Sequence, residues 1–126
     1  MRYTLDANAC ILLLAGHPAV VDRAERCEQG ELAISTIVYA EIALGVARGK
    51  PPSENRLDDL LRLLTVLPFD EPAAHAYALL PFKRGSFDRL IAAHAIAADL
   101  ILVTANTADF ADIPNLRVEN WTLPLT

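Results

Sequence analysis

Short apolar runs alternate with longer stretches whose apolar residues recur at helical spacing. Residues 2–5 predict a first strand. A helix follows from Asp6-Ala7-Asn8 to about residue 14, with Asn8 a reasonable cap and Gly16 and Pro18 as stops. A second short helix is expected over about 19–28, ending at Gly30, then a strand over 32–35. Ser35 or Thr36 caps a helix that runs to about residue 48, with Ile37, Ala40, Leu44 and Ala47 at the 3.6 period. Pro51-Pro52-Ser53 breaks the chain, and residues 54–64 place Leu57, Leu60, Leu61 and Leu64 on one helical face. A strand over 65–67, a helix over 71–80 with Pro72 in its first turn, and a helix over 88–98 come next. Residues 100–104 read as a buried strand and 116–118 as an edge strand, with Trp121 packing over the sheet edge.

This alternation predicts an α/β fold: a small parallel sheet of four or five strands with helices on both faces. A hydrophobic content of 53% fits strands that are apolar throughout because both faces are covered. The mean hydropathy, +0.28, points the same way. A length of 126 residues suits one domain spanning 1–126. No run reaches the roughly 18–20 apolar residues of a membrane span. The apolar run Ala9–Gly16 follows Asp6 and has no basic lead-in, so no membrane association and a cytoplasmic location are expected. Cys10 and Cys27 have neither metal nor redox spacing and read as small buried hydrophobes.

A net charge of -5 argues against broad, charge-driven binding to nucleic acid. It does not exclude a nucleic-acid enzyme, because carboxylates that hold a cation still count as negative in the sequence. Four acidic residues stand out. Asp6 ends the first apolar run, Glu41 lies within a helical pattern, Asp88 opens a helix, and Asp109 follows the run 100–104. A parallel sheet brings the carboxyl ends of the first and last of these runs together, where ligands bind in open α/β folds. Carboxylates gathered there repel one another, and a hard divalent cation such as Mg2+ or Mn2+ resolves the conflict. Cut phosphodiesters are the expected product. Lys83, Arg84 and Arg89 surround Asp88, and Arg84 and Arg89 are candidate contacts to a phosphate backbone.

The motifs Leu5-Asp6-Ala7-Asn8, Tyr39-Ala40-Glu41, Phe87-Asp88-Arg89-Leu90-Ile91-Ala92-Ala93-His94 and Val103-Thr104-Ala105-Asn106-Thr107-Ala108-Asp109-Phe110 resemble those of PIN-domain ribonucleases. The match is nearest to the VapC toxins of type II toxin–antitoxin pairs, and it covers nearly the whole chain in order. The resemblance implies a PIN-like three-layer fold and Mg2+- or Mn2+-dependent cleavage of structured or single-stranded RNA, such as tRNA or rRNA. It implies inhibited translation until a cognate VapB antitoxin binds, a homodimer, and a higher toxin–antitoxin assembly. It assigns Asp6, Glu41, Asp88 and Asp109 as catalytic metal ligands. Many such domains carry Asp two residues after the strand-ending Thr, where this chain has Asn106. Asn106 and Thr104 are therefore supporting candidates, and Asn8 is a cap or a hydrogen-bonding support.

Two other readings stay open: a DNA or flap nuclease of the wider PIN-like group, and an interaction module with a silent metal site. His94 reads as a packed histidine, and no nucleophile is paired with it. Ser35 and Ser86 lack an acyl-transfer arrangement, and no Gly-rich phosphate loop is present.

Overall fold

The computed structural model describes residues 1–83 and 86–123. Five parallel strands form one sheet: β1 (Tyr3–Leu5), β2 (Leu32–Ser35), β3 (Thr65–Leu67), β4 (Ile101–Val103) and β5 (Val118–Glu119), in the order β3-β2-β1-β4-β5. Six helices connect them: α1 (Ala7–Leu14), α2 (Pro18–Glu25), α3 (Thr36–Ala47), α4 (Glu54–Leu63), α5 (Glu71–Ala78) and α6 (Phe87–Ala97). A single 3-10 turn, Thr107–Phe110, follows β4. The chain moves outward from β1 to β3, then returns across the sheet to β4. Right-handed crossovers in opposite directions place the two helix groups on opposite faces. Accordingly α1 packs with α2, α3 and α4, while α5 packs with α6, and α3 also touches α6.

The reversal leaves β1 and β4 as neighbours whose connections depart to different sides. In register, Leu5 faces Val103, and the Asp6 N–H donates to the Val103 carbonyl at 3.1 Å. The crevice at this switch point positions the site described below. Leu5, Ile34, Leu60 and Leu102 form the fully buried centre of the core. Trp121 closes the β5 edge. Its ring meets Tyr3 edge-on at 5.1 Å, and its Nε1–H and Arg23 both donate to Glu119 Oε1, at 2.9 and 2.7 Å. Among the described residues no helix is long and apolar enough to cross a membrane.

Several sequence expectations need correction. Asp6, not Asn8, caps α1, because the capping residue must precede the helix and Asn8 is already inside it. Pro18 opens α2 rather than only stopping α1, since its fixed φ suits the first helical position. The Ile37, Ala40, Leu44, Ala47 stripe is not the buried face of α3. Val38 and Ile42 are buried, whereas Leu44 is 51% exposed. This helix is apolar on every side, so periodicity alone cannot select the inward face. The edge strand begins at Val118, where its register with Leu102 starts, rather than at Leu116.

The Leu57, Leu60, Leu64 face of α4 is buried as its spacing predicts, while Leu63 is 63% exposed. Leu60→Ala therefore costs about 2–5 kcal/mol in denaturant unfolding of the isolated protein, through lost transfer energy and a cavity. Leu63→Ala stays within about 0.5 kcal/mol. Equal costs at the two positions contradict this packing.

Candidate active site

Asp6 sits where β1 meets α1, in extended geometry that frees its side chain to cap the helix. Its Oδ1 accepts the Ala9 N–H at 2.8 Å. Thr104 follows β4 beside it, buried, and its hydroxyl favours the ionised form of the Asp6 carboxylate. The same hydroxyl oxygen accepts the Asn106 N–H at 3.0 Å. Asp88 lies in the first turn of α6, one residue after Phe87 opens the helix; Ser86 occupies the cap position without a side-chain bond. The partial positive charge of that helix end favours an ionised Asp88.

Asp6, Asn8, Glu41, Asp88 and Asn106 line one open concavity of about 270 Å³ at the carboxyl edge of the sheet. Ile11 and Ile91 form its apolar walls. Sequence reasoning missed these two; each lies three or four helical residues beyond an acidic or wall position, on the same face. Asp109 is exposed on the 3-10 turn and does not line the wall, but its charge reaches Asp88. Arg84 lies outside the described residues. Arg89 is 4% exposed and bonds Asp112, so it is withdrawn from the open surface that a phosphate-backbone contact requires. Lys83, the third cation of the cluster read around Asp88, is exposed, and with Arg89 it favours the ionised form of Asp88. A larger groove of about 540 Å³ runs along α1, α2 and α4, but Asp6, Glu41 and Asp88 do not line it.

Burial pushes the Asp6 carboxyl above its ordinary value, and the Asp88 charge adds to this; the bonds from Thr104 and Ala9 act the other way. Glu41 is raised first by burial, then by the charges of Asp88 and Asp6. Asp88 is raised by burial and by Asp109, against Lys83 and Arg89. No cationic side chain among the described residues offsets Asp6 or Glu41. Glu41 Oε1 is buried without a hydrogen-bond partner among them. A buried carboxylate oxygen left unpaired carries a large desolvation cost.

This donor set fits a hard divalent cation. All the donors are oxygen, two carboxylates lack a positive neighbour, and one oxygen is orphaned. The described acidic side chains do not close into a ready-made cage of three ligands. That suits Mg2+, which keeps several waters and takes one or two carboxylates plus substrate phosphate.

The PIN domain family model matches residues 3–116. Ribonuclease VapC2 of Rickettsia felis is 36% identical over 132 residues, covering 96% of this chain and 98% of that protein. The tRNA(fMet)-specific endonuclease VapC of Shigella flexneri is 30% identical, over 96% of this chain and 98% of its own length. The crystal structure of VapBC2 from Rickettsia felis bound to a DNA fragment from their promoter superposes with a TM-score of 0.82 at 34% identity. It covers 96% of this chain and 99% of the matched one.

The raised Asp6 carboxyl has a consequence for the metal-free protein. The folded state holds this proton more tightly than the unfolded state, so the group's contribution to stability is lost as pH rises through its folded value. In EDTA at pH 8, Asp6→Asn therefore melts above wild type, since Asn keeps the cap and removes the charge. The gap closes as pH falls toward the ordinary 3.8, where the wild-type carboxyl is itself neutral. Asp6→Ala, which loses the cap as well, lies about 1 kcal/mol below Asp6→Asn. Thermal melts across pH check all three. An Asp6→Asn melt below wild type at pH 8 contradicts the electrostatic account.

Proposed function

The chain belongs to the PIN-domain family, and from that premise we propose that it is a metal-dependent endoribonuclease, the VapC-type toxin of a VapBC pair. The observation that carries the reading is the crevice between β1 and β4. There Asp6, Glu41 and Asp88 line one concavity, Asp6 buried and the other two half-buried, with Glu41 Oε1 lacking a partner among the described residues. Asp6, Glu41 and Asp88 are the proposed ligands, with Asn106 at the wall and Asp109 at the margin sharing the fourth position. When bound, Mg2+ or Mn2+ supplies an acidified water for in-line attack and neutralises charge at the leaving oxygen. The Thr104 hydroxyl accepts the Asn106 N–H and so holds Asn106 at the wall, and it favours an ionised Asp6. Ile11 and Ile91 lower the local dielectric and strengthen each charge interaction inside. Lys83, exposed and acting on the charge of Asp88, is the proposed contact to an RNA phosphate.

The proposed substrate is structured or single-stranded RNA, with tRNA favoured. One relative of similar length is named for cleavage at tRNA(fMet). Cleavage of such RNA inhibits translation. The proposed partner is a VapB-type antitoxin within a larger toxin–antitoxin assembly, supported by the likeness to a solved VapBC complex, and a homodimer is proposed with it. We assign the activity to one PIN domain spanning the chain.

Purified protein incubated with total cellular RNA tests the reading. Discrete fragments form with Mg2+ or Mn2+ and vanish with EDTA. Asp88→Asn folds but slows cleavage by about 10²–10³-fold, the rate equivalent of a few kcal/mol of lost transition-state stabilisation. Normal cleavage by the folded variant refutes the site. Equal cutting of matched DNA and RNA oligonucleotides refutes the substrate class.

A further inference from the structure

We propose that Arg89 and Asp112 form a latch that holds the 3-10 turn against α6, and so sets how tightly the acidic concavity binds its cation. The proposal rests on the metal-dependent reading above and assigns two positioning residues to it. Arg89 directly follows Asp88 on α6. Asp112 lies three residues beyond Asp109. Arg89 Nη2 donates to Asp112 Oδ2 at 2.9 Å, so this ion pair ties α6, which carries Asp88, to the chain just beyond the turn that carries Asp109.

The turn is tied at both ends. At its start, Thr104 Oγ1 accepts the Asn106 N–H at 3.0 Å. Within it, Asp109 N–H donates to the Asn106 carbonyl at 3.0 Å, and Ile113 N–H to the Phe110 carbonyl at 3.1 Å. Phe110 and Ile113 are buried. At its far end the latch closes onto α6. Between the ties, Asp109 is exposed, and its charge acts on Asp88. Repulsion between these like charges works against holding the turn beside α6. The Arg89–Asp112 pair opposes that repulsion.

The cost of the arrangement argues for a purpose. The Arg89 side chain is 5% exposed, and its Nε and Nη1 have no partner among the described residues. A buried guanidinium with unpaired N–H groups is destabilising, and an apolar side chain of similar volume is the cheaper occupant. Stability alone therefore does not account for Arg89. Holding the turn in register does, and groups that orient metal ligands are worth large factors in metal affinity.

The test is calorimetric Mn2+ binding without RNA, with thermal melts alongside. The proteins compared are wild type, Asp112→Asn, Asp112→Glu, Asp109→Asn and the double variant Asp109→Asn/Asp112→Asn. Asp112 is 58% exposed on its side chain, so its variants fold. Asp112→Asn weakens Mn2+ binding about tenfold or more. Asp112→Glu, which keeps the charge, recovers most of the affinity. In the Asp109→Asn background, Asp112→Asn adds little, because the latch acts through Asp109. In RNA cleavage, Asp112→Asn raises the half-saturating Mn2+ concentration and leaves kcat at saturating metal near wild type. A folded Asp112→Asn that binds Mn2+ as wild type does overturns the latch alone. So do fully additive losses in the double variant. Wild-type protein that binds no Mn2+ overturns the metal reading, and the latch with it.

Discussion

Mutual repulsion among desolvated carboxylates is the constraint around which this fold is organised. Asp6 and Glu41 are lifted above their ordinary values first by burial and then by the charge of Asp88, with no cation among the described side chains to offset them. Burying even one unpaired charge is expensive, and gathering several multiplies the cost. A domain with only modest net stability bears such an expense at few places. An external divalent cation turns the same oxygens from a liability into a binding site, so the fold and the proposed chemistry share one cause.

The backbone concentrates these charges through topology. Strand order reverses at β1 and β4, which opens a crevice at their carboxyl ends. Two side chains there have double duty. Asp6 caps α1 with one oxygen while its carboxylate faces the concavity. Thr104, just past β4, favours an ionised Asp6 and accepts the N–H of Asn106, the cap of the turn that carries Asp109. Asp88 arrives from the opposite helix layer at a helix start, where the dipole helps keep it ionised despite its neighbours. The site thus depends on both helix groups and on the central strand pair.

Much of this was legible because strands and helix starts have strong local signatures. The run 2–5 ending in Asp6, and the run 100–104 ending in Thr104, place both residues at one sheet edge once a parallel sheet is assumed. The Leu57, Leu60, Leu64 spacing marked a buried face because polar residues alternate with it. The same reasoning failed on α3, whose apolar residues surround the helix, so the Ile37, Ala40, Leu44, Ala47 stripe did not mark its buried face even though Glu41 drew notice by residue type. Asn8 was read as a cap because capping residue types are common there; the competing candidate, Asp6, stood two positions earlier. Arg89 read as a surface cation because arginine usually is one. Its burial depends on Asp112, 23 residues away, and no local pattern encodes that pairing. The choice between Asn106 and Asp109 is likewise tertiary: the path of a short 3-10 turn decides which one reaches the wall.

The most direct test of the central claim is anomalous diffraction from crystals of the protein soaked in Mn2+. The account predicts a peak between β1 and β4, within about 2.5 Å of carboxylate oxygens from at least two of Asp6, Glu41 and Asp88. A crystal whose Mn2+ binds elsewhere, with the three carboxylates free of metal, contradicts it.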